Sequence, residues 1–343
     1  MTGAGGFVGG RVVEVLHASG RAQVRAAVRR WAGAARIGRF PIEIVRCDVG
    51  NPTELERAMV GVAAVVHCAI GSRDVNVEGT RNVLEAARQS GVRRVVHLST
   101  IAVYGDASGE IDETNPCRRT GDPYGDSKIE AEQVCQEYTA RAVPVVILRP
   151  TIVYGPFSAN WTIEFAERFR SGTWHLPERY GEGTCNLVYV DDLVAAVLLA
   201  LTCEEAVGET FNVNGEERPT WNEYFRSLNA SLGFAPLREP DLAQGLLRTG
   251  LLMPVRKTAK LFLKHFQPQI RALYRRSDLA QRLMRSAERS IRNTPSTAEF
   301  RLYSHRAFYR TEKAARILGY RPAFKMTEGV ALSAAWLRHH RYA

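Results

Sequence analysis

The first half of the chain alternates short apolar runs with segments whose apolar residues recur at helical spacing. The apolar runs predict strands at 24–29, 42–46, 64–69, 94–99 and 143–148. The segments between them predict helices near 9–19, 52–60, 75–90 and 124–141. Strands that alternate with helices form parallel sheets with crossover helices, so this half is expected to be a doubly wound α/β domain.

After Pro150 the pattern is less regular and mostly helical. Helical spacing recurs near 159–171, 191–202, 221–232, 254–266, 269–290 and 326–339, between proline and glycine breaks. We therefore expect a smaller, mostly helical substrate lobe. The predicted division is 1–155 plus about 186–215 for the α/β domain, and about 156–185 plus 216–343 for the lobe.

Composition narrows the class of protein. Hydrophobic residues make up 45% of the 343 residues and charged residues 24%, which is ordinary for a globular chain and excludes a disordered or fibrous one. The longest strongly apolar run, 193–203, is shorter than the roughly 20 residues of a membrane-spanning helix. The six cysteines form no Cys-x-x-Cys pair, so we expect free thiols in a reducing compartment and no metal site. These features favour a cytoplasmic protein.

The net charge of +10 comes from one stretch, 248–292, where twelve Lys or Arg face only Asp278 and Glu288. No nucleic-acid-binding motif accompanies it, so we expect no nucleic-acid partner. Within it, 255–266 would separate apolar from basic residues on a helix. Three interpretations stay open: peripheral contact with an anionic membrane, a lobe helix that packs its apolar face, or arginines that bind an acidic substrate.

Residues 2–9, TGAGGFVG, space Gly3, Gly6 and Gly9 three apart. Glycines at this spacing permit a tight turn, close approach of the backbone to a pyrophosphate, and packing of the next helix. The helix N-terminus then offers free N–H groups to the phosphates. By itself the motif could also be a plain turn, but it predicts a dinucleotide loop in front of these strands.

The glycine loop must follow the carboxyl end of a strand, yet only Met1 precedes it. In a doubly wound sheet this strand is central, and without it the neighbouring strands lack ladder partners. We therefore expect the first strand to be missing or truncated in this sequence, and the natural chain to start upstream of Met1.

Arg29 and Arg30 end the predicted strand at which the adenosine ribose would lie. An acidic residue there would accept hydrogen bonds from a 2′-hydroxyl, whereas arginine complements a 2′-phosphate. NADP is therefore the preferred cofactor, with NAD as the alternative. Asp48, after the next strand, is placed to meet the adenine, or else serves as a turn residue.

Tyr124 and Lys128 lie four residues apart, on one face of a predicted helix. A free phenol with a pKa near 10 is a poor base at neutral pH, and a neighbouring ammonium favours the phenolate. Thr100, at the end of a strand, could hydrogen-bond the reacting oxygen. After a dinucleotide loop and parallel strands, this set predicts acid–base chemistry.

The chain resembles the extended short-chain dehydrogenase/reductases, the NAD(P)-dependent epimerase/dehydratase family, over roughly residues 1–215. The matching stretches are 2–9, 76–84, 95–105, 124–128, 148–156 and 188–193. The resemblance implies a Rossmann-type fold and hydride transfer at a secondary alcohol or ketone carbon of a small molecule. It also implies a homodimer, formed through the helices predicted at 75–90 and 124–141.

The resemblance assigns roles residue by residue. Tyr124 would be the acid/base, Lys128 its activator and a ribose ligand, and Thr100 the family's Ser/Thr; Asn76 would order water or backbone nearby. The implied cofactor-binding residues are Gly3, Gly6, Phe7, Val8, Gly9, Arg29, Asp48, Val49, Cys68, Ala69, Tyr124, Lys128, Pro150 and Val153.

Departures from the family pattern narrow the range of reactions that the chain is expected to catalyse. Ile101 and Ala102 stand where sugar-nucleotide dehydratases carry an Asp-Glu pair, and Cys185 lies near the place of an arginine that binds the diphosphate in nucleotide-sugar epimerases. The leading expectation is an oxidoreductase acting on a sterol-, isoprenoid- or sugar-like molecule. The alternatives are a nucleotide-sugar epimerase with tightly bound NAD, and a non-catalytic protein that senses NADP.

Overall fold

The computed structural model describes residues 1–172, 174–238 and 295–342. The predicted helices at 254–266 and 269–290, the proposed membrane contact and the basic stretch 248–292 lie outside the described residues. The chain forms two compact units. The first comprises 1–162, 186–218 and 306–329, and the second comprises 163–185, 219–305 and 330–343.

The described residues form ten β-strands and ten α-helices, numbered in chain order. The strands are β1 (Arg25–Val28), β2 (Glu43–Arg46), β3 (Ala64–His67), β4 (Arg94–Leu98), β5 (Gly109–Ile111), β6 (Val145–Pro150), β7 (Ile152–Tyr154), β8 (Leu187–Tyr189), β9 (Thr210–Val213) and β10 (Ala307–Tyr309). The helices are α1 (Phe7–Ser19), α2 (Pro52–Met59), α3 (Arg73–Gln89), α4 (Pro123–Thr139), α5 (Glu164–Arg170), α6 (Val190–Thr202), α7 (Trp221–Ser231), α8 (Thr297–Ser304), α9 (Glu312–Leu318) and α10 (Met326–His339).

The first unit is built on parallel strands. β3, β4, β6 and β9 pair in that order, and β1 pairs with β2. Met1 and Thr2 lie between these two groups: the Ala27 N–H donates to the Met1 carbonyl at 2.8 Å, and the Thr2 N–H donates to the Val66 carbonyl at 3.1 Å. The prediction of a doubly wound Rossmann-type fold is confirmed.

Helices cover both faces of this sheet. α1 and α6 pack Val12, Leu16, Leu193 and Val197 against one face. α2, α3 and α4 cover the opposite face. Burial on both faces explains why the strands are nearly continuous in apolar residues.

The structure corrects the predicted domain division. We assigned 216–343 wholly to the lobe, but 306–329 belongs to the first unit. β10 pairs in parallel with β5, and Ala314 and Leu318 of α9 join the core beneath α6. Three-residue strands are too short to show periodicity, so the sequence did not predict them.

In the second unit, α5, α7 and α8 surround an aromatic core. Phe225 contacts the rings of Phe165, Trp174 and Tyr303 at centroid distances of 4.9, 5.7 and 5.3 Å. This unit is mostly helical within its described residues, as expected. None of the described helices is long and apolar enough to cross a membrane.

Candidate active site

The glycine loop is packed too tightly for side chains. Gly3 has a φ of +66°, and a Cβ there would lie 2.6 Å from the Cys68 carbonyl. A Cβ on Gly9 would lie 2.2 Å from the Gly3 oxygen. Gly6 caps α1 without a side-chain hydrogen bond, so the N–H groups of the first turn are left for a ligand. These features fit a dinucleotide pyrophosphate.

Replacing Gly9 with alanine should abolish cofactor binding. The added methyl group collides with the Gly3 backbone, and that carbonyl cannot move without displacing the turn. Isothermal titration should show the affinity for nicotinamide dinucleotides falling by at least about 100-fold, as expected when a binding loop is rebuilt. Gly50→Ala is the control, because its Cβ would meet only the Asp48 carboxylate at 3.4 Å. Unchanged affinity in the Gly9 variant would show that the glycine loop does not bind the cofactor.

A cavity of about 380 Å³ opens beside the loop, within the range of small-molecule sites. Its lining includes seven of the predicted cofactor-binding residues: Gly3, Gly6, Arg29, Asp48, Val49, Cys68 and Ala69. The other seven do not line it: Tyr124 and Lys128 belong to α4, and five lie elsewhere. Phe7, Val8 and Gly9 begin α1, Pro150 ends β6, and Val153 lies in β7.

Two cations stand at the rim of this cavity. Arg29 and Arg30 follow β1 and are both exposed, and neither guanidinium has a carboxylate partner among the described residues. Asp48 lines the same cavity, but its carboxylate accepts the Gly50 N–H at 2.9 Å. The Asp48 carboxylate therefore stabilises the turn after β2. The groups at the cavity rim that remain available to a ligand are the guanidinium groups of Arg29 and Arg30.

Thr100 follows β4 and caps the 3-10 turn at Ile101–Tyr104. Its hydroxyl oxygen accepts the Ala102 N–H at 3.2 Å, which leaves the hydroxyl proton to donate elsewhere. The Thr100 side chain lies close enough to the Tyr124 phenol to lower its pKa. The structure thus brings together two of the three predicted catalytic residues through their side chains.

Tyr124 lies in the first turn of α4, which Asp122 caps by accepting the Gly125 N–H at 2.9 Å. The residue is 39% exposed. Burial raises the pKa of its phenol, and the nearby Thr100 side chain opposes that shift. Without a bound cofactor Tyr124 is therefore protonated near neutral pH, as an acid must be.

Lys128 lies one helical turn further along α4 and is buried, with 4% of its surface exposed. Its ammonium donates to the Leu98 carbonyl at 2.8 Å. Burial lowers the pKa of Lys128 to about 8. The ammonium is therefore charged near neutral pH but loses its proton easily. Its hydrogen bond to Leu98, at the end of β4, places it near Thr100.

Lys128→Met should raise the free energy of unfolding near neutral pH. Below about pH 8 the folded wild type holds the buried, charged Lys128 ammonium. Between about pH 8 and 10.5 the unfolded chain keeps this proton and the folded chain does not, so the free energy of unfolding of the wild type rises with pH. We expect a gain of about 1–2 kcal/mol near neutral pH that disappears above about pH 10. Urea unfolding at both pH values measures it. A loss of stability at neutral pH would contradict the assignment.

The sequence did not single out a buried chain of hydrogen bonds that begins under the glycine loop. Thr2 bonds His67 Nδ1 at 2.7 Å, and His67 Nε2 bonds Thr80 at 3.1 Å. Thr80 donates to the Asn76 carbonyl, so His67 carries its proton on Nε2. Burial lowers the pKa of His67 to about 3, which keeps it neutral.

Asn76 extends this chain to the catalytic helix. Its amide donates to the Ser127 hydroxyl at 2.9 Å, and Ser127 donates to the Tyr124 carbonyl at 2.9 Å. The amide oxygen of Asn76 also accepts the Gly71 N–H at 3.0 Å. Asn76 thus orders backbone near the site, and α3 connects the glycine loop to Tyr124.

A second buried network supports the Thr100 side of the site. Arg149 forms two bonds to Glu132 at 2.6 and 2.9 Å and one to the Tyr104 hydroxyl at 2.8 Å. Ser99 donates to Glu132 at 2.5 Å. An arginine that ends the apolar run of β6 was the available signal, because a buried charge requires a partner. The network fixes the strand ends that carry Thr100 and Pro150.

Two positions bear on the reaction type. Ile101 and Ala102 place no carboxylate after Thr100, so the acid and base of a dehydratase are missing there. Cys185, in the second unit, is fully buried, and burial raises the pKa of its thiol. It therefore offers no charge to a diphosphate.

Comparison with known proteins identifies the family of the chain. The model of the NAD dependent epimerase/dehydratase family matches residues 1–214. The chain is 31% identical over 253 residues to the UDP-glucose 4-epimerase of Vibrio cholerae, covering 68% of this chain and 75% of the relative. It is 31% identical over 237 residues to sterol demethylase protein B of Methylococcus capsulatus, covering 63% and 69%.

The fold is shared with solved structures. The UDP-glucuronic acid 4-epimerase of Bacillus cereus in complex with NAD superposes with a TM-score of 0.71 at 19% identity, covering 98% of this chain and 96% of the other. The chain belongs to the NAD-dependent epimerase/dehydratase family, within the extended short-chain dehydrogenase/reductases. It is an NAD(P)-dependent enzyme of that family.

Proposed function

We propose that this enzyme is an NADP(H)-dependent oxidoreductase that transfers hydride at a secondary alcohol or ketone carbon, with Tyr124 as acid/base. The observation that carries the proposal is the pair Arg29 and Arg30 at the rim of the 380 Å³ cavity, without carboxylate partners among the described residues. A 2′-phosphate would supply an anionic partner to the guanidinium groups, whereas a 2′-hydroxyl would carry no charge to pair with them.

In the proposed mechanism the bound nicotinamide supplies or accepts the hydride. During reduction the Tyr124 hydroxyl gives its proton to the substrate oxygen while the carbonyl carbon takes the hydride, so a ketone becomes an alcohol. Thr100 donates a hydrogen bond to the same oxygen, since its own oxygen is occupied by the Ala102 N–H. The Lys128 ammonium stabilises the phenolate that remains.

The proposed substrate is an apolar or sugar-like molecule without a diphosphate. Cys185, near the place of the family's diphosphate-binding arginine, is buried and carries no positive charge. The similarity to sterol demethylase protein B supports an apolar ketone or alcohol. Screening should therefore begin with hydrophobic ketones.

A nucleotide-sugar epimerase remains the second candidate. It is favoured by the 31% identity to the Vibrio cholerae UDP-glucose 4-epimerase. Such an enzyme would use the same Tyr124 to remove a proton and then return it, with no net oxidation of the substrate.

Arg29→Ser tests the cofactor preference. Loss of a charge-assisted hydrogen bond to a 2′-phosphate should weaken NADPH binding about 10- to 100-fold and leave NADH binding nearly unchanged. Fluorescence titration of both cofactors measures the two affinities. Arg57→Ser, an exposed arginine on α2, is the matched control. Equal losses for NADPH and NADH would refute the 2′-phosphate assignment.

A further inference from the structure

Arg36 lies against the start of α1, just after the glycine loop. Its Nη1 donates to the Phe7 carbonyl at 2.9 Å, and its Nη2 lies 3.6 Å from the Glu14 carboxylate. A Cβ on Gly10 would lie only 3.1 Å from the Arg36 Nη1, so a larger residue there would crowd the arginine. Arg36 therefore joins the segment after β1 to the first turns of α1.

The Arg36 guanidinium also covers the ring of Phe157, which belongs to a distant part of the chain. Its Cζ lies 3.8 Å from the ring centroid, well within the range of a cation–π contact. The Arg36 side chain is 13% exposed, and its Nε has no hydrogen-bond partner among the described residues. Hydrogen bonds thus leave this mostly buried cation incompletely paired, and the ring face supplies part of its stabilisation.

Phe157 makes this contact from a strained backbone conformation. Its φ is +70°, in the region that favours glycine. The loop around it is fixed, because the Ser158 N–H donates to the Gly155 carbonyl at 3.1 Å and the Ser158 hydroxyl donates to the Val153 carbonyl at 3.2 Å. Glycine would fit this turn without strain, so a role limited to the turn does not explain the phenylalanine.

The loop 155–158 starts close to Thr100. In the pairing of β4 with β6, Leu98 stands opposite Leu148, so Thr100 and Pro150 follow neighbouring strands at the same edge of the sheet. β7 and the loop come directly after Pro150. The guanidinium–ring contact therefore ties the segment beside Thr100 to the helix that begins at the glycine loop.

A dinucleotide bound as proposed would extend from the glycine loop to Thr100. We propose that Arg36 and Phe157 are positioning residues that fix the spacing between these two ends of the site and so place the nicotinamide for hydride transfer. They would act through the segments they join, not on the reacting atoms. Misplacement of reacting groups by about 1 Å can slow a reaction about 100-fold. The hydride step of this inference rests on the proposed function.

The test removes the ring and the cation separately. Phe157→Gly and Arg36→Met should each lower kcat about 10- to 100-fold, while NADPH affinity stays within about threefold because the glycine loop is unchanged. Phe157→Gly should keep Tm within about 4 °C, since relief of strain offsets the lost contact. The double variant should be no slower than either single variant, because each already breaks the contact.

Two variants serve as controls. Phe157→Tyr keeps a ring beneath the guanidinium and should retain kcat within about twofold. Arg39→Met removes another arginine of the same segment, which bonds Glu14 at 3.0 Å but covers the neighbouring ring of Phe40 at 4.8 Å. This variant should keep the kcat of the wild type.

The fluorescence lifetime of bound NADPH reports how firmly the reduced nicotinamide is held, and it needs no substrate. Phe157→Gly and Arg36→Met should shorten this lifetime toward that of free NADPH, and the two controls should not. A wild type that binds only NADH would contradict the proposed cofactor preference, and the same comparison with NADH would then decide this inference.

A wild-type kcat and lifetime in Phe157→Gly would overturn the inference, because the ring would then be dispensable. A Phe157→Tyr variant as slow as Phe157→Gly would also overturn it. So would a double variant whose loss of kcat equals the product of the two single losses, because Arg36 and Phe157 would then act independently.

Discussion

Replacing Tyr124 with phenylalanine should lower kcat by about 10²- to 10⁴-fold, the range for loss of a general acid–base group. The substitution removes one hydroxyl and leaves the ring of a residue that is 39% exposed at the start of α4. Cofactor affinity should stay within about twofold, because the glycine loop and Arg29 are untouched. Steady-state turnover and fluorescence titration measure the two effects separately.

Tyr138→Phe is the matched control for this change. It makes the same chemical deletion on the same helix, where the Tyr138 hydroxyl donates to Glu85 at 3.1 Å. Turnover of this variant should equal that of the wild type. If both variants lose activity alike, α4 is acting as a scaffold only, and Tyr124 is not the acid.

Replacing Glu132 with leucine should lower the free energy of unfolding by about 3–5 kcal/mol. The side chain is 3% exposed and that of its partner Arg149 is 6% exposed, so the substitution leaves a buried guanidinium without a carboxylate partner. Ser99 also loses its acceptor. Urea unfolding measures the change, and turnover should fall as well because Ser99 precedes Thr100.

A second substitution separates the ion pair from simple packing. Glu132→Leu combined with Arg149→Met removes both charges and should recover most of the lost stability. Arg81→Met breaks an exposed pair with Glu137 and should cost less than about 1 kcal/mol. If the double variant is as unstable as the single one, the buried charge is not the cause.

Much of the fold was predictable because both faces of the sheet are covered. Strands such as β3 and β6 begin with unbroken apolar runs, and the intervening helices carry clear caps, such as Asn51 before Pro52. The pairing of β5 with β10 was not predictable. Each has three residues, and nearly two hundred residues separate them, so only tertiary packing brings them together.

The same contrast holds for the site. Tyr124 and Lys128 are linked by helical spacing, and the glycines by the geometry of one turn, so a local pattern is sufficient. His67 and Glu132 act through partners 13 to 65 residues away in the sequence. Their polar character inside apolar segments indicated burial with a partner, but the identity of that partner depends on how the strands are ordered.

The most direct test of the proposed function is to denature freshly purified protein and identify the released nicotinamide dinucleotide by mass spectrometry. The emptied protein is then titrated with NADPH and NADH. An NADP(H)-dependent oxidoreductase exchanges its cofactor at every turnover, so we expect little retained NAD and at least about tenfold tighter binding of NADPH. Near-stoichiometric, tightly held NAD would contradict this account and favour the epimerase.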